Sequence, residues 1–135
     1  MPDHSTAPVP QPVQIPERAD TVGPGWQELL GRLHHQLRAM VPGYRLVDLG
    51  EKFGGLRVHV ESVGDDGDAT RTLITAAEAE SMRTCEFCGA PGRVRTREDA
   101  SRGWRKTVCD TCHGLWSAHH LMIVNGAVRG RPSEA

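Results

Sequence analysis

No run in this chain approaches the roughly 18 consecutive apolar residues of a membrane-crossing helix, and its start lacks the basic residues and apolar core of a secretory signal. Neither a span nor an export signal is therefore expected, and the location that fits is the cytoplasm. Aromatic residues are scarce at 4% and the apolar share is only 38%, so any hydrophobic core is modest. Charge of one sign is missing too. A formal net charge of −1 excludes a uniformly basic nucleic-acid coat and equally an acidic solvating tail. Lysine is nearly absent, two residues against fourteen arginines, a bias that carries no functional weight. The 135 residues suffice for one domain and fall short of two ordinary ones.

There is also no cysteine to spare. All four fall in two C-x2-C frames, Cys85-Glu86-Phe87-Cys88 and Cys109-Asp110-Thr111-Cys112, separated by twenty residues. Each frame places two thiolates on one side of a tetrahedral ion without straining the backbone, so two frames close the shell around zinc. With all four positions filled by sulfur, none is open to a water nucleophile, and the Zn2+ is structural. In so small a domain such an ion contributes folding free energy that the core cannot. Within the insert, residues 92–97 and 103–108 predict two strands joined by a polar turn at 98–102, with Gly89 making the tight turn after the first pair. That is a four-cysteine zinc ribbon over residues 83–113.

Five prolines among residues 1–22 predict a disordered tail, because proline removes donors and the few aliphatics there bury little. From Gly25 the pattern changes. Trp26, Leu29, Leu30, Leu33, Leu37 and Met40 follow helical spacing until Pro42 and Gly43 end the run. Adjacent His34 and His35 cannot face one ion from a helix and are read as surface residues. Strands are expected at 44–49 and 56–62 around Glu51-Lys52-Phe53-Gly54-Gly55, where the glycines permit positive φ. The acidic stretch at 64–68 lacks the ligand pattern of a calcium loop and is read as an exposed turn. A second helix is expected from Thr70 to about Arg83, burying Leu73, Ile74, Ala77 and Met82, with Glu78 and Glu80 solvated. The expected fold class is α+β: a small helix-hairpin-helix unit followed by the ribbon, one domain over 23–125, with a disordered tail at 126–135.

Two other readings of the cysteines fail on context. Cys109-x2-Cys112-His113 matches covalent haem attachment, which requires export, and a thioredoxin-type pair would leave the other frame idle and lacks a βαβ setting. Paired C-x2-C frames followed by histidine also resemble the zinc-framed subset of HNH endonucleases. That family carries its metal-activating Asp-His between the pairs, where this chain has no histidine. His113, His119, His120 and Asn125 all follow the last pair, so a nuclease is the lesser expectation.

Taken together, the Glu51-Lys52-Phe53-Gly54-Gly55-Leu56-Arg57 segment, Ala77-Glu78 to Ser81, Cys85-Glu86-Phe87-Cys88-Gly89, and Gly103-Trp104 to Cys109-Asp110-x-Cys112 resemble a family of small uncharacterised bacterial and prophage-encoded proteins. The resemblance covers roughly residues 25–113. It implies a shared structural turn at Phe53-Gly54-Gly55, with Phe53 packed under the ribbon or the first helix, and it brings no activity with it.

Two functional expectations follow. The first is a non-enzymatic module whose partner is a protein, acting as an adaptor or an inhibitor. Trp116 with Leu121 is read chiefly as core, beside an apolar C-terminal segment that forms a helix or an extended piece. The second is nucleic-acid binding by the ribbon hairpin. Alternating Arg93, Arg95 and Arg97 share one strand face, with Arg102, Arg105 and Lys106 on or near the partner strand and Trp104 able to stack on a base.

Overall fold

The computed structural model describes residues 12–61, 67–97 and 104–130. The expected tail at 1–11, the turns at 64–66 and 98–102, and the last five positions lie outside the described residues. Helices and small antiparallel hairpins are mixed in an α+β arrangement. Among the described residues four α-helices, α1 (Ile15–Arg18), α2 (Gln27–Met40), α3 (Gly67–Ser81) and α4 (Asp110–Ser117), accompany three two-stranded sheets: β1 (Leu46–Lys52) with β2 (Gly55–Val60), β3 (Arg93–Thr96) with β4 (Arg105–Val108), and β5 (Leu121–Val124) with β6 (Ala127–Gly130).

The helical stripe forms as its spacing predicts. Trp26 and the leucines at 29, 30, 33 and 37 are buried and meet Leu46, Leu49, Leu56 and Val58 from the first hairpin and Ile74 and Ala77 from α3 in one core. Helix α3 also closes the free edge of β2. Ser81 Oγ accepts the Leu56 N–H at 2.9 Å and a Glu78 carboxylate oxygen accepts the Val58 N–H at 2.9 Å. Unpaired strand donors are thus satisfied by side chains, which removes an edge prone to aggregation. Glu78 has this work in place of the solvated role expected for it.

Part of the expected N-terminal tail is folded. Ile15 and Val22 are 1% and 0% exposed and belong to the main core. Pro16 sits in the first turn of α1, where a missing N–H costs nothing, and Gln14 with Glu17 forms a capping box. Long-range bonds fix the segment: the Leu46 N–H donates to the Val13 carbonyl at 2.8 Å, and the Gln14 amide donates to the carbonyls of Pro42 and Tyr44. Composition pointed to disorder because these partners lie about thirty residues away in sequence. The expected C-terminal tail is corrected likewise, since Ala127–Gly130 pairs with β5 across an Asn125-Gly126 turn, both residues at positive φ.

Phe53 is a third correction. It is 63% exposed and holds a left-handed φ of +54°, so the turn docks on the ribbon through backbone and not through its ring. The Gly54 carbonyl accepts from Thr107 Oγ1 at 2.7 Å, and Gly54 bridges Lys106. Met82 is also exposed, because α3 ends one residue before it.

Candidate metal centre

The four cysteines come together as the spacing predicts. Their sulfurs all lie within 4.8 Å of one another, and all four are free thiols. Cys88 Sγ and Cys109 Sγ are 3.7 Å apart. A disulfide needs about 2.05 Å, whereas the edge of a tetrahedron with metal–sulfur bonds of about 2.3 Å is about 3.8 Å. The donor set therefore fits a tetrahedral ion and does not fit a disulfide.

Local geometry presents each pair. Gly89, at φ +84°, closes the first knuckle, its N–H donating to the Cys85 carbonyl at 2.8 Å. The β3–β4 ladder, with Arg93 opposite Val108 and Arg95 opposite Lys106, carries the chain to the second pair. Cys109 caps α4, its sulfur accepting from the Cys112 N–H at 3.4 Å. Burial works against ionisation of Cys109, but hydrogen bonds from that N–H and from neighbouring thiols outweigh it and lower its pKa. Burial, with crowding by the other sulfurs, raises Cys88 and Cys112. Four sulfurs this close cannot all ionise without a cation among them, and ligand deprotonation is what metal binding supplies.

The centre is tied to the rest of the protein through Glu86, which lies between the first two cysteines and is 2% exposed. One carboxylate oxygen accepts the Gly23 N–H at 3.0 Å and the other accepts from Lys106 Nζ at 2.9 Å. Its own carbonyl accepts the Gly25 N–H at 2.8 Å. Approach is so close there that a Cβ on Gly25 would stand 2.0 Å from the Cys85 carbonyl oxygen. Trp26 adds an indole bond to the Thr84 carbonyl at 2.8 Å. Sequence reading missed Glu86. A carboxylate inside a C-x2-C frame, facing Gly-Pro-Gly sixty residues earlier, was the available signal.

The anticipated basic stripe is only partly displayed. Arg93 and Arg105 are exposed, on opposite faces of the hairpin as their register requires. Arg95 pairs with Asp110 at 2.7 Å, and Lys106 pairs with Glu86 at 2.9 Å and Glu51 at 3.7 Å. Arg97 lies between two indoles, 5.7 Å from the Trp104 ring centre and 5.8 Å from that of Trp116. Trp104 is 62% exposed, Trp116 is buried as expected, and Arg102 is outside the described residues.

Comparison with family models, curated proteins and solved structures finds no match. The family resemblance thus rests on its motifs alone.

Among the described residues the four sulfurs are the one cluster of metal-ligating type. His113 is buried with its ring bonded to the Thr96 carbonyl at 3.1 Å, which makes it a brace between α4 and β3. His34, read as a surface residue, is half-buried, its Nδ1 2.6 Å from the Tyr44 hydroxyl. Among the described residues that line a cavity of about 290 Å3 between β2 and α3, Glu78 is the one carboxylate, already engaged by the Val58 N–H. Among the described residues, no helix is long and apolar enough to cross a membrane.

Proposed function

We propose that this chain is a non-enzymatic binding module in which zinc, held by Cys85, Cys88, Cys109 and Cys112, staples a ribbon whose surface engages a macromolecular partner. Four thiolates suit zinc by softness and geometry and leave no open position for catalysis.

One observation carries the binding role: exposed apolar side chains and positive charge collect on the same half. Trp104, Leu115, Met122 and Val124 belong to it, Phe53 precedes the glycine that bridges β4, and Met82 directly precedes it, whereas exposed Val47 lies on the β1–β2 hairpin. Residues 83–135 carry nine Lys and Arg against five Asp and Glu, and residues 1–82 carry seven against twelve. Apolar surface of this kind marks an interaction face. Met122 and Val124 share the outer face of the β5–β6 hairpin with Ala127 and Arg129, which supports a protein partner, as for an adaptor or inhibitor. The charge balance supports the second reading, a nucleic acid.

The test combines metal analysis with affinity selection from the source cells, using wild type, Met122→Glu/Val124→Glu and Val47→Glu, each with and without nuclease. The expected result is one zinc per chain and a stoichiometric partner kept by Val47→Glu and lost by the double variant. Nuclease-resistant capture assigns a protein and nuclease-sensitive capture a nucleic acid. Iron in place of zinc would overturn the metal assignment. Capture that is absent, or identical for all three proteins, would overturn the surface.

A further inference from the structure

The four sulfurs share one cluster but not one exposure. Cys85 is 0% exposed and Cys112 is 7% exposed, both within the small core of the metal half, whereas Cys88 lies open at the surface and Cys109 is half-buried. A cleft of about 260 Å3 with Pro91, Arg93 and Cys109 in its wall gives a second approach from outside. Each C-x2-C frame thus contributes one inner sulfur and one outer sulfur. The two outer sulfurs are neighbours, with Cys88 Sγ and Cys109 Sγ 3.7 Å apart.

A zinc-bound sulfur keeps its thiolate character, and an accessible thiolate is what a hydroperoxide oxidises. Reagents of that class are small and uncharged, so access decides which sulfur reacts. Cys88 is the sulfur they reach first, and Cys109 is the thiolate beside the product. The Cys88 thiolate attacks one oxygen of the hydroperoxide and the O–O bond breaks. Cys88 becomes a sulfenic acid, and the departing oxygen takes a proton and leaves as water or an alcohol. The Cys109 thiolate then attacks the Cys88 sulfur, the S–O bond breaks, and hydroxide leaves with a second proton as water. Each sulfur gives up one electron, and the hydroperoxide takes both.

Bonding draws the outer sulfurs from 3.7 Å to about 2.05 Å. Cys85 and Cys112 alone then remain as ligands, too few to complete a tetrahedron. The effect reaches beyond the knuckles. Cys109 caps α4, its sulfur accepting the Cys112 N–H at 3.4 Å. Helix α4 carries Trp116 into the cluster against which Leu121, Ile123 and Val128 of the last hairpin pack.

We propose that Cys88 and Cys109 form an oxidation site: a hydroperoxide joins them in a disulfide, which releases the metal and loosens the half that carries the recognition face. The inference rests on the reading of the four sulfurs as a zinc site.

The experiment treats the zinc-loaded full chain with hydrogen peroxide under conditions that fully oxidise glutathione. Released zinc is followed with a chromogenic chelator, and the first product is mapped by mass spectrometry of unreduced peptides. Zinc and two thiols per chain should be lost together, the linked peptides should be those of Cys88 and Cys109, and dithiothreitol with zinc should restore the starting state. Hydrogen exchange over residues 110–130 should rise on oxidation and fall again on repair. Cys88→His keeps four ligands, three cysteines and one histidine, but lacks the outer pair, and it should release zinc about tenfold or more slowly. The peptide map is read on wild type, so it decides the assignment even where Cys88→His takes up no zinc. A first disulfide within one frame, Cys85 with Cys88 or Cys109 with Cys112, would overturn the site. So would zinc release without a disulfide, retention of zinc with all four thiols, or equal release by wild type and zinc-loaded Cys88→His. A chain that takes up no zinc overturns the metal reading and the release step with it, whereas a zinc-loaded chain that forms no Cys88–Cys109 bond loses the oxidation site alone.

Discussion

The two halves of this protein are held together by different physics. Residues 12–82 close around a continuous apolar core in which Trp26, four leucines of α2 and the inner faces of β1, β2 and α3 meet. Residues 84–130 have a far smaller cluster, Cys85, Phe87, Val108, Cys112 and Trp116, with Leu121, Ile123 and Val128 packed against it. A cluster that small stabilises little by burial. Four sulfurs converge there, and large apolar side chains such as Trp104 and Met122 are left at the surface instead of in a core. A metal held by those sulfurs is proposed to do the work that burial does in the other half.

The sharpest way to break this comparison is to remove one ligand. Cys88→Ser should abolish stoichiometric zinc and unfold the ribbon, with a loss on the order of 10 kcal/mol of metal-linked free energy. Hydrogen exchange should show protection lost across 84–130 first, and His120→Ala should leave metal content unchanged. Leu33→Ala supplies the converse, a loss of about 2–5 kcal/mol from the main core with zinc retained. Equal zinc in wild type and Cys88→Ser, or zinc lost in Leu33→Ala while it remains folded, would erase the distinction between the halves.

A smaller effect is expected at the joint. Glu86→Gln removes the nearer of the two carboxylates beside half-buried Lys106, leaving Glu51 at 3.7 Å, and should destabilise by about 2 kcal/mol. Lys106→Met in the same chain should recover part of that loss, because no ammonium with only the more distant carboxylate then remains. A double-mutant cycle of urea midpoints measures it, and strict additivity would show that Lys106 does not hold Glu86 in its place against Gly23.

The smallest effect is confined to the helical half. The Tyr44 hydroxyl accepts the Ile15 N–H at 2.9 Å, so its own proton points at His34 Nδ1, which must be unprotonated to accept it. Burial first, then Arg38 and His35, lowers the His34 pKa from its ordinary 6.5. Above 6.5 the folded and unfolded chains are both neutral there. As pH falls through that value the unfolded chain takes a proton that the folded one refuses, so stability declines until the lower folded pKa is reached. His34→Gln should flatten this part of the difference between about pH 7.5 and pH 5.5 and leave zinc unchanged. An identical pH dependence in wild type and variant would refute the assignment.

Much of this architecture was legible before any coordinates. The leucine stripe of α2, the hairpin around Gly54, the helix before Cys85 and the ribbon strands each announce themselves through local period or turn chemistry, and paired C-x2-C frames specify a ligand set by spacing alone. What escaped were contacts between residues far apart in sequence. Proline-rich residues 12–22 gain order only from Tyr44, Leu46 and the main core. Phe53 lies outside because the docking of its turn is done by the Gly54 carbonyl, and three of the basic side chains, Arg95, Arg97 and Lys106, are engaged by Asp110, by two indoles and by Glu86 with Glu51.

By itself the sequence determined the α+β elements and the four sulfurs, because period, capping and ligand spacing act over a few residues. Only the tertiary structure decided that Glu86 joins the halves, that Ile15 and Val22 complete the core, and that Cys88 and Cys109 are the outer pair of the four sulfurs. Those pairings depend on where distant segments meet, and the free energy that fixes them comes from desolvation and complementary charge that exist only after the chain has closed.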